Sequence, residues 1–382
     1  MTLRLNLAGG RHFYKLTLVS STRKLIGNVS SKSKAASGSQ TTAGHLLYTL
    51  QHFALKIIDQ EINSYVDQWG VCMLCVLGEL FLYEGVCVCC AEYGGLGLDF
   101  SYSIAVSDEL CNIRCGGIPM AIGVKTDMAT PALARFGSEE LNKEFLLPSI
   151  MGDKVSCLGV SEVGSGSDVY VVNGGKMSLI CLPMNSPGRG SHRRKIDKMG
   201  MRSSDTAEVF FDDVRVPCKN LIGQEGMGFT YQMMQFQEER LWAVGNTLTT
   251  RDIIQDTIQY TRQRKIFKMP VLYHQSVLFR LAELETEIEL LRSIAPQVAL
   301  YIKGNDVTKL ASMAKLKAGH LSREVGDSCL QYWGGMGFTS DVLVSRFYRD
   351  AMLLSIGGGA DEVMLSIICK YMDTLPKAPA KN

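Results

Sequence analysis

Apolar side chains between residues 46 and 69 recur at intervals of three and four: Leu46, Leu47, Leu50, Phe53, Ile57, Ile58, Ile62 and Val66. That spacing predicts an amphipathic helix. A glycine-rich turn, "EYGGLGLDF" (92–100), separates it from further helix-like sequence running to about Ser149. There "TPALARFGSEELNKEFLLPSI" supplies N-cap, turn and proline punctuation. From Val155 to about Val216 the pattern shortens. "VSCLGVSE" and "AEVFFDDVRVP" are brief, rich in β-branched and aromatic residues, and closed by Gly or Pro, so they predict strands. "NSPGRGSHRRK" between them reads as a polar loop. From Gly226 the helical period returns in four long segments. The first, running on from Phe229, carries Met233, Met234, Leu241, Val244, Leu248 and Ile258. The second carries Leu281, Leu284, Ile288 and Leu291, the third is "VTKLASMAKLKAGHLSREVGDSCLQYW", and the fourth is "ADEVMLSIICKYM". Four long segments with short connections predict an antiparallel helical bundle.

The fold class is therefore multidomain α+β. A helical domain spans 45–154, a β unit 155–225 and a helical bundle 226–375, with a leader at 1–44 and a tail at 376–382. With 46% apolar residues and a net charge of +2, the chain can bury a large core and makes no electrostatic case for nucleic acid. The charge is uneven. Residues 1–58 hold eight basic side chains and no acid, the first being Asp59, and the leader is rich in Ser and Thr. That is the composition of a mitochondrial transit peptide; a basic tail without an address is the alternative. The apolar run from Val71 to Ala91 contains Glu79 and Glu84, which disfavours a membrane span. Twelve cysteines include "VCMLC" and "VCVCC", yet no histidine lies between His52 and His192. Buried thiols, not a metal cluster, are expected.

Four local features could carry chemistry. "LGVSEVGSGSD" (158–168) runs a predicted strand into alternating glycines and hydroxyls, which form either an anion-binding nest or a plain turn. "QEERLWA" (237–243) sets Glu238, Glu239 and Arg240 in mid-helix beside Leu241 and Trp242. A carboxylate pointing near that apolar face would have a raised pKa and could act as a base; a surface Glu–Arg pair is the plainer reading. "QYWGGMGF" (331–338) ends a helix on Gly334 and Gly335, where something flat or charged could approach the backbone. "SIGGGADE" (355–362) puts three glycines before the last helix. None of these is a dinucleotide fingerprint or a P-loop.

Together these motifs resemble the acyl-CoA dehydrogenase family. The resemblance runs through "EYGGLGLDFSYS" (92–103), "TDMATPALARFGSEE" (126–140), "LGVSEVGSGSD", "DKMGMRSSDTAEVFFDDVRVP" (197–217) and "NLIGQEGMGF" (220–229). It continues through "RQRKIF" (262–267) with His274 and Gln275, "QYWGGMGF" and "RFYRDAMLLSIGGGADEVM" (346–364). It implies a helical N-terminal domain, a central β-barrel and a C-terminal four-helix bundle. It also implies bound FAD, a homodimer or homotetramer, and oxidation of an acyl-CoA thioester to the trans-2-enoyl-CoA. Electrons would pass to electron-transfer flavoprotein, in the mitochondrial matrix.

By resemblance Leu158, Gly159, Val160, Ser161, Glu162, Val163, Gly164, Ser165, Gly166 and Ser167 lie along the flavin. Ser161 would bond to its ring, and Ser167 would sit toward the acyl-CoA. Arg264, Phe267 and Gln275 match positions that hold FAD, and Gln331, Gly334 and Gly335 match a turn that reaches a neighbour's FAD. Gly359, Ala360, Asp361 and Glu362 count among the cofactor contacts, and Gln237, Arg240 and Gly358 among the substrate contacts. Many members carry the catalytic base just before the last helix, where Gly358 stands. A branch that includes isovaleryl- and long-chain-type enzymes has Gly or Ala there and its base before an Arg on the first long bundle helix. The resemblance implies that in this chain the base is Glu239, with Arg240 orienting it and the Gly358 N–H donating to the thioester carbonyl. Glu238 would face elsewhere.

The chain departs from the family in the middle. Only 28 residues separate Asp168 from Asp197, and "VNGGKM" runs directly into "SLICLPMN", so the expected barrel is small and truncated, without its flavin-covering strand. A catalytically impaired relative is therefore the competing reading, and an oxygen-using acyl-CoA oxidase a third. Ala360 replaces a frequent Thr, and Lys268–Met269 replaces a frequent Gly-Lys.

Overall fold

A computed structural model describes residues 2–4, 14–18, 91–93, 95, 97–161, 177–184, 191–211, 214–247, 249–294 and 296–375. The expected helix at 46–69 and the apolar run at 71–91 lie outside the described residues, apart from Ala91. In chain order the strands are β1 (Thr2–Arg4), β2 (Tyr14–Leu18), β3 (Leu179–Ile180), β4 (Ser191–Lys195), β5 (Asp205–Phe211), β6 (Arg215–Pro217), β7 (Leu221–Ile222), β8 (Lys265–Ile266) and β9 (Met269–Pro270). The α-helices are α1 (Phe100–Leu110), α2 (Gly117–Gly123), α3 (Thr130–Phe136), α4 (Glu139–Leu141), α5 (Leu147–Ile150) and α6 (Gly228–Asn246). They continue with α7 (Thr249–Gln263), α8 (Gln275–Arg292), α9 (Pro296–Ile302), α10 (Thr308–Trp333), α11 (Leu343–Ala351) and α12 (Asp361–Tyr371). The chain divides into two compact units, Met1–Leu98 with Cys115–Gln232, and Asp99–Arg114 with Met233–Asn382.

In the first unit the helical part closes on Leu133, Leu141, Phe145, Leu146 and Ile150, joined by Ile222. The punctuation read from sequence works as expected. Ser138 caps α4, its hydroxyl accepting from the Leu141 N–H at 3.2 Å. Gly137 is required by space, because a Cβ there would lie 2.4 Å from the Leu133 carbonyl oxygen.

The β part departs from the sequence reading in two places. Val155–Ser161 forms no strand; only Gly159 makes an isolated bridge. Conversely "SHRRK", expected to be loop, is β4, paired antiparallel to β5 with Arg194 opposite Glu208. The ladder itself, with Lys195 paired to Asp205 at 2.6 Å, overrides the low strand propensity of a basic run. On its other edge β5 pairs with β2, which sets Lys15 opposite the same Glu208 and Leu16 opposite Ala207. Strand β1 pairs with β6. Two pieces of the segment read as a leader are thus hydrogen-bonded into the β part. Ala207 and Val209 are buried, packed by Cys157, Met184 and Phe211. Among the described residues the strands form one three-stranded and three two-stranded sheets and close no barrel.

The second unit is helical. The long segment expected from Phe229 onward is two helices, α6 and α7. At the break the Thr247 hydroxyl donates to the Ala243 carbonyl at 3.0 Å and the Thr250 hydroxyl to the Thr247 carbonyl at 2.7 Å. Hydroxyls bonding locally in this way compete with the helix ladder. The periodic residues Leu281, Leu284, Ile288 and Leu291 of α8 are all buried, against Ile253 and Ile254 of α7 and Ala318, Leu321 and Val325 of α10. Helices α9 and α11, short pieces between the long segments, were not anticipated. No described helix is long and apolar enough to cross a membrane.

Candidate functional site

Helix α6 buries charged side chains beside its apolar ones, Leu241 and Trp242. Met234, expected on its apolar face, is 46% exposed, whereas Gln235, Glu238, Glu239 and Arg240 are buried. Removing three charges from water is costly unless each has a partner. Glu238 has one in Tyr301, whose hydroxyl donates to Oε1 at 2.8 Å, so the carboxylate expected to face elsewhere is buried too. Glu239 is 6% exposed. Burial pushes its carboxyl up to about 8; the Arg240 charge opposes that rise and Glu238 adds to it. Burial in turn lowers the Arg240 guanidinium, against the pull of Glu239.

Arg240 also reaches the glycine triplet, where its Nε donates to the Gly358 carbonyl at 3.4 Å. One side chain therefore borders Glu239 in sequence and bonds the turn 118 residues away. Gly358 and Gly359 have φ of +65° and +100°, a region that favours glycine. A Cβ on Gly358 would meet nothing within 4 Å, so the absent side chain leaves open space. A Cβ on Gly359 would press on Met364 Cε at 2.6 Å. Ala360, in extended backbone, caps α12 without a side-chain bond, and Asp361 and Glu362 occupy its first turn, the favourable end for acids.

Sequence reasoning missed Lys315. It is 1% exposed on α10 and donates to the Gly359 carbonyl. Its ammonium stands 3.8 Å from Asp361 Oδ1, while His320 Nε2 stands 3.3 Å from Asp361 Oδ2. The signal was present: Lys315 is one turn from Ala311 and from Gly319, in a register otherwise of small buried residues.

The remaining expected positions are dispersed. Leu158, Val160 and Ser161 are half-buried, Gly159 is exposed, and Glu162 to Ser167 lie outside the described residues. Gln237 is half-buried. The end of α7 and the glycine turn after α10 do come together. Arg264 donates to the Tyr260 hydroxyl at 3.2 Å, and Tyr260 stacks on Trp333 at 4.0 Å between centroids. Gly334 then ends α10 at φ +60°, and a Cβ on it or on Gly335 would meet nothing within 4 Å. Phe267 is 93% exposed at the tip of the β8–β9 hairpin. Gln275 and Gln331 are exposed, Gln275 on an open groove of about 520 Å³ shared with Phe279, Arg280 and Tyr332. Among the described residues no cluster of His, Cys, Asp and Glu could hold a metal ion.

Two family models match the chain, "Acyl-CoA dehydrogenase, N-terminal domain" over residues 54–153 and "Acyl-CoA dehydrogenase, C-terminal domain" over residues 226–372. The chain belongs to the acyl-CoA dehydrogenase family. Its relatives include the mouse mitochondrial short-chain specific acyl-CoA dehydrogenase, 28% identical over 324 residues, covering 74% of this chain and 78% of that protein. The pig mitochondrial long-chain specific enzyme is 29% identical over 321 residues, covering 73% and 74%. Among solved structures, an acyl-CoA dehydrogenase from Geobacillus kaustophilus aligns with a TM-score of 0.79 at 28% identity, over 88% of this chain and 100% of that one. Butyryl-CoA dehydrogenase from Megasphaera elsdenii shares the fold at a TM-score of 0.78 and 24% identity, over 88% of this chain and 100% of that one. Helical N- and C-terminal domains are thus part of the organisation of this acyl-CoA dehydrogenase family member.

Proposed function

We propose that this chain oxidises an acyl-CoA thioester to the trans-2-enoyl-CoA with FAD, using Glu239 as the base. The observation that carries the reading is the buried Glu239 carboxylate, raised to about 8, on the helix whose next residue bonds the open Gly358 turn. A base with a pKa near the working pH balances the fraction ionised against proton-transfer driving force. Glu239 takes the α-proton. The β-hydrogen leaves with its bond pair, and the Cα–Cβ double bond forms between them. Arg240 limits the rise in the Glu239 pKa and, through the Gly358 carbonyl, ties base and turn together. The space beside Gly358 admits the thioester, whose carbonyl would accept from the Gly358 N–H as negative charge builds on it.

FAD, when bound, supplies the acceptor for the β-hydride. Residues of the second unit fit its charged and flat parts. The open backbone at Gly334 and Gly335 admits a close approach, Arg264 offers a guanidinium to a diphosphate, and Phe267 offers an aromatic face. With Gln275 and Gln331 they are the proposed holders of its nucleotide end, partly toward a second copy of the chain. Leu158 to Ser167 and Gly359 to Glu362 are the proposed contacts on the ring side. Electron-transfer flavoprotein as acceptor, a homo-oligomer and a matrix location complete the proposal; the acid-free residues 1–58 support the location, while the pairing of β1 and β2 into the β part counts against a leader that is removed. The base assignment aligns the chain with the isovaleryl- and long-chain-type branch.

One observation favours a second reading, a catalytically impaired member. The interval from Asp168 to Asp197 is 28 residues. Both readings are tested by α-proton exchange. Acyl-CoA incubated with the protein in D₂O should lose its α-proton signal in NMR, and Glu239→Gln should slow this by about a hundredfold or more. Exchange retained by the variant would remove Glu239 from the role. No exchange by either protein would favour the impaired relative.

A further inference from the structure

The glycine turn has no side chains with which to hold its own shape. Gly358 and Gly359 both sit at positive φ, and backbone of this kind is conformationally free unless its polar groups are tied. On the leading side the Gly357 N–H donates to the Leu353 carbonyl at 2.7 Å. On the trailing side the Met364 N–H donates to the Ala360 carbonyl at 3.0 Å, within α12. Between these anchors two carbonyls are bound by buried cations, Gly358 by Arg240 and Gly359 by Lys315. Among the described residues, the peptide that carries the Gly358 N–H is suspended between these tied neighbours.

The use made of Lys315 is unusual for a buried lysine. An ammonium enclosed at 1% exposure would ordinarily close on its carboxylate. Here Asp361 Oδ1 is 3.8 Å away and receives no hydrogen bond among the described residues, while the short bond goes to the Gly359 carbonyl. Asp361 therefore supplies countercharge, and the ammonium supplies the tether. The other charges facing Lys315 are Arg240, on α6, and Glu362, on α12.

We infer that Lys315 is a positioning residue for the dehydrogenation. By holding the Gly359 carbonyl, in concert with Arg240 on Gly358, it fixes the turn so that the Gly358 N–H meets the thioester carbonyl in register with Glu239. Asp361 keeps Lys315 charged. The inference rests on the proposed role of Gly358, and its test separates the two.

The test uses full-length protein as purified, with Lys315→Met and the double variant Lys315→Met/Asp361→Asn. The second removes the carboxylate that the first leaves without its cation. Amide hydrogen exchange across 353–365 is read against α8 as an internal reference, with kcat and KM for an acyl-CoA. Both variants should exchange about tenfold faster or more in 353–365 with α8 unchanged, because one tie on a local opening is lost. Both should lose about tenfold or more in kcat with KM moved by less than about threefold, as expected for an interaction made mainly in the transition state. Unchanged exchange in Lys315→Met would overturn the tether. So would recovery of exchange and kcat in the double variant, which would show that Lys315 only neutralises Asp361. Exchange is read without turnover, so faster exchange together with an unaltered kcat would keep the tether and remove the role of Gly358.

Discussion

The buried carboxylate makes a quantitative prediction about stability. Glu239 titrates near 4.5 in an unfolded chain and is raised to about 8 in the folded protein by burial. Between those values the unfolded chain has released a proton that the folded protein keeps, so stability must fall as pH rises. Each unit is worth about 1.4 kcal/mol, so at pH 7 the cost is about 3 kcal/mol, and above about pH 8 it levels near 5. Glu239→Gln keeps the shape of the protonated side chain and cannot ionise. It should be nearly neutral to stability at pH 5, more stable than the parent by about 3 kcal/mol at pH 7, and by about 5 at pH 9. Urea titrations of both proteins at pH 5, 7 and 9 measure the difference directly. Lys315, which burial pulls down to about 8, is common to both proteins and cancels from that difference. A gap that stays constant across pH would mean that Glu239 is not held protonated, and the pKa argument for its role would fail.

Three further outcomes follow from named groups. The pH profile of kcat/KM should climb about tenfold per unit below pH 8, as Glu239 ionises, and bend over above it, as Lys315 loses its proton; a profile flat from pH 6 to 9 contradicts both assignments. Phe267 and Lys268 form a two-residue hairpin loop at φ +49° and +66°, so Lys268→Gly should relieve strain and raise stability by about 1 kcal/mol in urea titration. Ala360→Ser should gain about 1 kcal/mol by capping α12, where the present residue makes no side-chain bond; an unchanged unfolding midpoint would show that the cap geometry is wrong.

The helical framework was legible because its core positions are periodic. Leu281, Leu284, Ile288 and Leu291 needed only a count of three and four to be set on a buried face. The break between α6 and α7 was hidden because the signal is two threonine hydroxyls turned back on the backbone, in sequence whose apolar period continues across it. Strand β4 was hidden because its partner, Glu208, lies 14 residues onward from Arg194, and a basic run has no strand pattern of its own. At the site, Glu239, Arg240 and Gly358 were reached through resemblance, and the burial of charge on α6 gives Glu239 and Arg240 an independent physical mark. Lys315 was overlooked because a lysine on a small-residue face reads as solvated until the helix packed against that face is known.

Dehydrogenation by this chain turns on whether Glu239 removes a proton in a flavin-loaded protein. The direct measurement is the visible spectrum of the purified protein, mixed anaerobically with acyl-CoA, beside that of Glu239→Gln. Both proteins should be yellow, and acyl-CoA should bleach the parent while the variant keeps its colour. A protein that stays colourless after adding FAD, or a variant that bleaches as fast as its parent, would contradict the account.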